Sequence, residues 1–249
     1  MHNPKPNVFL IVLDTHRFDR LGCYGYHRNT SPNLDAFAHN STLYENAISP
    51  AQWTIPSHAS MFSGEYPAAH HTLQASDALN PSFTTLAEHL HSAGYQTIGL
   101  CNNPLVGVLD NGFRRGFEQF YNYGGTIPST PSTNGHYSKS HFSKIKSQYS
   151  KIIDRIATPI QQAVAASPHV LRIALNPFLV PLWSRFSNFK GDTAASLQDT
   201  CNLLQPSGNQ PQFIFLNLMG THLPYTPPRR FIQKFAPIVL DNPDAQDFI

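Results

Sequence analysis

The sequence predicts an α/β protein, a doubly wound and mainly parallel sheet flanked by helices, and three stretches carry that prediction. Val8–Leu13 is an unbroken apolar run, Gln212–Leu218 (Q-F-I-F-L-N-L) reads as a second buried strand, and Ser82–Cys101 reads as a helix running into a strand. Unbroken apolar runs suit strands covered on both faces, and helices alternating with strands are the mark of parallel crossovers. A chain of 249 residues is long enough to bury a substantial core.

Taken in order, the first strand ends abruptly in Asp14, and its continuous apolarity places it in the middle of the sheet. The polar stretch 15–29 follows as a loop. Ser31 as N-cap and Pro32 at the first position open a helix over Pro32–His39. Leu43–Ile48 alternates, which suggests a short strand feeding the segment 50–64, P-A-Q-W-T-I-P-S-H-A-S-M-F-S-G. There Thr54 falls at or just before a helix start, because a proline is tolerated in the first turn, where its missing N–H has no intrahelical partner. That helix carries Ala59–Phe62 and stops at G-E-Y-P.

Ser82–Ala93 has Leu86, Leu90 and Ala93 on one helical face and Gly94 just past its end, and Tyr95–Cys101 alternates as the next strand. The stretch 121–140 is rich in Gly, Ser, Thr, Pro and Asn and reads as loop. Residues 143–186 contain Pro159, Pro168, Pro177 and Pro181 among short amphipathic stretches. Together they form an insertion at about 121–186, packed over the sheet rather than on a membrane surface, since no basic face accompanies it. Asp192–Leu204 resumes a helical pattern. The last strand ends near Gly220-Thr221-His222.

The polar residues that close these elements are the candidate site. A carboxylate at the carboxyl end of a strand, Asp14, lies where open α/β sheets bind ligands and suits a divalent cation; as a plain residue it would cap the turn. Thr54 at a helix start faces free N–H groups and the positive end of the helix dipole, which favour an anion, although such a residue by itself also serves as an N-cap. Asn102 and Asn103 end the second strand at the same edge, as ligand contacts or as turn formers before Pro104. His222 ends the last strand and points into the same crevice if the strands are parallel neighbours. Its ordinary pKa near 6.5 suits proton transfer.

Composition narrows the partners. The balance of 17 basic against 15 acidic residues, net +2, favours no polyanion, and no basic cluster suggests nucleic acid. Cys23, Cys101 and Cys201 are too few and too far apart for a disulfide framework or zinc knuckle. No apolar run reaches the roughly 20 residues of a membrane span. Without a visible signal peptide, a cytoplasmic location is the expectation.

The run V-F-L-I-V-L-D-T-x-R-x-D-x-L-G-C-Y-G-Y, followed by W-T-I-P-S-H-A-S-M-F-S-G-x-Y-P, resembles the N-terminal half of a sulfatase of the alkaline phosphatase superfamily. S-P-N-L-D-A-F-A, L-A-E-H-L-H-S-A-G-Y-Q-T, G-F-R-R-G-F-E-Q-F and N-L-M-G-T-H-L-P-Y-T-P-P follow in that family's order, over most of 7–125 and 187–232. The resemblance implies an alkaline-phosphatase-like fold lacking its C-terminal portion, and hydrolysis of sulfate esters by metal-assisted nucleophilic attack. It implies Thr54 as nucleophile and His222 as the group that contacts substrate or protonates the leaving alcohol. His58, Asn102 and Asn103 are the substrate-binding candidates. Asp14 and Thr54 would hold a divalent cation, whether Ca, Mg, Mn or Zn.

Three departures qualify it. The family's nucleophile is a Cys or Ser converted to formylglycine, which Thr54 cannot become. Superfamily relatives that use an unmodified Thr act on phosphate esters, so a phosphodiesterase-like or phosphoglycerol-transferase-like enzyme is the alternative. His58 stands where the pattern has Arg, and the acidic pair after the first strand is reduced to Asp14-Thr15. Finally, no D-H-G-type motif follows His222, so the metal ligands it supplies would come from a separate C-terminal fragment, or the chain is a truncated non-catalytic one.

Overall fold

The computed structural model describes residues 5–124, 190–204, 210–223, 225 and 227–241. Four parallel strands, β1 (Val8–Leu13), β2 (Gln96–Cys101), β3 (Gln119–Asn122) and β4 (Gln212–Leu218), form one sheet in the order β1-β4-β2-β3. The last described strand thus lies between the first two. Its register sets Leu13 opposite Leu218 and Cys101 opposite Asn217, so the carboxyl ends of β1, β4 and β2 finish side by side. That edge is where ligands bind in open parallel sheets.

Helices α1 (Pro32–His39), α2 (Thr54–Ser63), α3 (Pro67–His70), α4 (Leu86–Ser92), α5 (Pro104–Gly107), α6 (Thr193–Leu203) and α7 (Arg229–Phe235), with short 3-10 helices at Phe18–Arg20, Gly22–Tyr24 and Pro237–Leu240, complete the described elements. Alternation along β4 sends its side chains to two cores. Phe213 and Phe215 pack with Ile55, Ala59 and Phe62 of α2, and the Phe62 ring meets Phe215 edge-on at 5.0 Å. Ile214 and Leu216 pack on the other face with Ile98, Leu100, Tyr121 and Leu203 of α6. Helices on both faces of a parallel sheet are the doubly wound arrangement expected from the sequence.

Several expectations are corrected. β1 is an edge strand among the described residues. Phe9 is 43% exposed and Ile11 55%, because the described core covers only the face from which Val8, Leu10 and Val12 project. Leu43–Ile48 is not a strand: its alternation is carried by side chains that are all exposed, so it lacks the half-burial that period two needs. The helix expected over 82–93 starts only at Leu86. Thr85 accepts from the Glu88 N–H at 3.2 Å while the Glu88 carboxylate accepts from the Thr85 N–H at 2.7 Å, a capping box that fixes the start. Tyr121 and Asn122, expected as loop, belong to β3. The rest of the expected insertion, to residue 186, lies outside the described residues. Ser31 does precede α1, but its hydroxyl donates to the Asp35 carboxylate instead of capping the helix.

Candidate active site

The site is built where three chain segments reach the carboxyl edge of the sheet. Past β1, the Asp14 N–H donates to the Leu218 carbonyl at 2.9 Å, extending the β1–β4 ladder by one residue. Thr15 then turns with φ +57°, a left-handed backbone that a β-branched residue adopts only when held. Two hydroxyl bonds hold it: Thr15 Oγ1 donates to the Thr221 carbonyl at 2.9 Å, and Thr221 Oγ1 donates to the Asp14 carbonyl at 2.7 Å. These bonds clamp the turns after β1 and β4 together and fix Asp14 in place.

Thr54 is the first residue of α2, with extended Trp53 as N-cap, and Pro56 sits in the first turn as expected. Gly64, at φ +74°, ends the helix in the left-handed conformation that glycine adopts freely. Asn103 follows β2 and caps α5: its Oδ1 accepts from the Leu105 N–H at 2.9 Å. This bond settles which way the carboxamide faces. Its Nδ2 therefore donates outward, to Asp14 Oδ2 at 2.6 Å and, more weakly, to Thr54 Oγ1 at 3.4 Å. Asp14, Thr54 and Asn103 are all buried, and one amide links them.

His58 lies one turn further into α2 and is 2% exposed. Its Nδ1 donates to the Thr54 carbonyl at 2.8 Å, so Nε2 accepts from Asn217 Nδ2 at 3.1 Å. One donor and one acceptor make a neutral ring. Burial pushes the imidazole below its ordinary value, more strongly than the Thr54 carbonyl and Asp14 pull it up. Both ring nitrogens have partners inside the protein. Burial raises the Cys101 thiol to about 12, leaving a protonated side chain that donates to the Asn103 carbonyl at 3.2 Å.

The other candidates are placed less completely. Asn102 is fully buried, and neither polar atom of its side chain has a hydrogen-bond partner. His222 is half-buried, and its Nδ1 donates to the Leu223 carbonyl at 2.7 Å. It is one residue from the Thr221 clamp but outside the hydrogen-bonded set of Asp14, Asn103 and Thr54. Two residues escaped the sequence reading. Lys190 precedes α6 and donates to the His222 carbonyl, and burial lowers its pKa. A single lysine in a polar stretch gives no signal. Asn217 did carry one, as the lone polar side chain inside the apolar run of β4.

The described residues supply few ligands for the expected cation. Asp14 is the one carboxylate in the hydrogen-bonded set, and no group of three His, Cys, Asp or Glu side chains suited to a metal occurs among the described residues. The Asn103 amide, a donor, bridges the Asp14 and Thr54 oxygens that a shared cation would need. These residues do not by themselves fit a tight divalent site.

Comparison with known proteins bears on this arrangement. The sulfatase family profile matches residues 6–246. The chain is 32% identical over 99 residues to an ulvan-active sulfatase of Formosa agariphila, a match covering 38% of this chain and 19% of that protein. Human arylsulfatase A is 31% identical over 46% of this chain and 24% of its own length. The fold matches a protein solved with its substrate D-glucosamine-2-N,6-O-disulfate (TM-score 0.57, 16% identity, 94% of this chain and 38% of that one). It also matches the phosphonate monoester hydrolase of Agrobacterium radiobacter (TM-score 0.55, 17% identity, 94% and 44%). The fold is alkaline-phosphatase-like, and the chain spans less than half the length of these relatives. No described helix is long and apolar enough to cross a membrane.

Proposed function

Because the chain belongs to the sulfatase family, we propose that it hydrolyses sulfate esters with Thr54 as nucleophile. The observation that carries this reading is the Asn103 amide, which joins the Thr54 hydroxyl to the Asp14 carboxylate at the ligand-binding edge of the sheet.

The Thr54 oxygen attacks the central atom of the ester, the bond to the alcohol breaks, and a threonine ester forms that water then cleaves. Asn103 donates through one amide to Thr54 Oγ1 and to Asp14 Oδ2, and the Asp14 carboxylate accepts the Thr54 hydroxyl proton as the oxygen attacks. The first-turn N–H groups of α2, lacking intrahelical partners, stabilise charge on the non-bridging oxygens. His222 is the proposed proton donor to the leaving alcohol, and Asn102 the proposed further contact to its ester, since its buried amide lacks a partner. The divalent cation that the resemblance implies would take Asp14 as its carboxylate, with the remaining oxygen ligands supplied from beyond the described residues. Calorimetric titration with calcium, magnesium, manganese and zinc tests this: weak binding is expected, and tight stoichiometric binding would show that the chain holds its own complete site.

A phosphate ester is the second reading, favoured by one residue. Thr54 carries a methyl where the formylglycine precursors have none, so it acts as an unmodified hydroxyl. Aryl sulfate, aryl phosphate and aryl phosphodiester substrates decide between the two. Turnover of any of them should fall at least about a thousandfold in Thr54→Ala. Turnover unchanged by that substitution would remove Thr54 from the mechanism, and its absence with all three substrates would leave a non-catalytic fragment.

A further inference from the structure

Asn217 has no assigned role, yet it interrupts the most deeply buried strand. Phe213, Ile214 and Phe215 are 0% exposed, and so is Asn217. A carboxamide in such a place carries the desolvation cost of each group left without a partner, and Asn217 Oδ1 has none. An apolar residue there would avoid that cost, so the useful half of the side chain is the one that is bonded.

That half is Nδ2, which donates to His58 Nε2 at 3.1 Å. The direction follows from the opposite side of the ring. The Thr54 carbonyl only accepts, so His58 Nδ1, 2.8 Å away, carries the proton and Nε2 carries the lone pair. The geometry points to Asn217 as a positioning residue: through His58 it braces the first turn of α2 against β4 and so aims the Thr54 hydroxyl at Asn103 and Asp14. The chain of contacts is continuous, from Asn217 to the His58 ring, to the Thr54 backbone, and from Thr54 Oγ1 to the amide that also holds Asp14. Rings on the same side of β4 buttress the imidazole, with Phe62 at 6.0 Å and Phe215 at 6.3 Å, both edge-on. The ring is therefore fixed in orientation as well as in tautomer.

This inference rests on Thr54 as the nucleophile, and the test separates the two. Nitrogen-15 NMR of the full chain reads the His58 tautomer without any need for turnover. A pyrrole-type Nδ1 and a pyridine-type Nε2 are expected, and the reverse assignment overturns the proposal. Asn217→Leu keeps the volume and removes the donor. In that variant, kcat toward the best of the three aryl esters should fall about 10- to 100-fold with KM changed less than about twofold, because aim is lost and the binding groups are kept. A kcat equal to wild type in a folded Asn217→Leu overturns the proposal. If Asn217→Leu does not fold, Asn217→Ser, which keeps a donor but shortens its reach, takes its place with the same expected loss. If the wild-type chain turns over none of the esters, the nucleophile reading fails by itself. The brace is then judged on the tautomer and on amide exchange in the first turn of α2, which should quicken at least about tenfold in the Asn217 variant; unchanged exchange overturns it.

Discussion

β1 and β4 are paired residue by residue, from Val8 against Phe213 to Leu13 against Leu218, and both are apolar. Their surroundings differ. β4 has a strand on each side and a core on each face, so Phe213 and Ile214 are both 0% exposed. β1 is covered on one face only: Val8, Leu10 and Val12 pack on the core that includes Ile55, Phe62 and Phe213, while Phe9 and Ile11 are 43% and 55% exposed. The contrast shows that an apolar run sets how much cover a strand can use, and the neighbours set how much it gets. It also explains where the polar site stands. Asp14 leaves β1 beside β4, on the covered side, and its partners Thr54 and Asn103 come from α2 and from the end of β2.

The difference in energy between the two strands can be broken directly. Phe215→Ala removes a ring that touches Phe62 at 5.0 Å and Phe117 at 6.0 Å in a closed core, and should cost about 3–5 kcal/mol in urea unfolding. A loss under about 1 kcal/mol would mean that β4 is no better packed than β1. The cover itself comes next. Thr85 caps α4 and also donates to the Arg115 carbonyl at 3.1 Å, so Thr85→Ala should cost about 1–2 kcal/mol by the same measurement.

Acid sharpens the contrast further, because the buried imidazoles lie on the covered side. His58 and His70 are both pushed below their ordinary value of 6.5, chiefly by burial. His70 accepts from the Thr72 N–H at 3.0 Å and faces Ser60 Oγ at 3.0 Å, so it too is held neutral. The unfolded chain binds protons that the folded one refuses. Stability from these two groups is therefore complete above about pH 6.5 and falls as the pH drops below it. Thermal melts between pH 7.5 and 5 should show the midpoint falling at the acid end, and His70→Gln should make the slope shallower. A midpoint that rises toward pH 5 would contradict the buried, neutral state of both rings.

These residues also show what the sequence could and could not disclose. Asp14, Thr54 and Asn103 were legible because each closes an apolar run or opens a helix, and such boundaries put polar side chains at the edge of a parallel sheet. His58 was legible as part of the same helix, but helical spacing from Thr54 does not reveal that Asn217 stands 3.1 Å from its other nitrogen. That contact spans 159 residues of chain. β3 was missed because four residues are too few for alternation to stand out, and its stability comes from pairing with β2, where Gly99 leaves room for the Phe120 ring. Leu43–Ile48 failed in the opposite way, showing alternation with nothing packed against it.

The smallest expected effect is the most diagnostic for β1. Replacing Phe9 and Ile11 together by Thr keeps a β-branched residue at Ile11 and good strand propensity at both positions, so the backbone is not penalised. About half of each side chain already lies in water, and only the apolar area removed from water contributes, at roughly 25 cal/mol per Å². Val8, Leu10 and Val12, which do pack inward, are untouched. The double substitution should therefore cost under about 1 kcal/mol, against the about 3–5 kcal/mol of Phe215→Ala in the opposing strand. A urea midpoint lowered by as much as that of Phe215→Ala would mean that the outer face of β1 is covered in the native protein. The comparison between the strands would then fail at the one face where it rests on exposure alone.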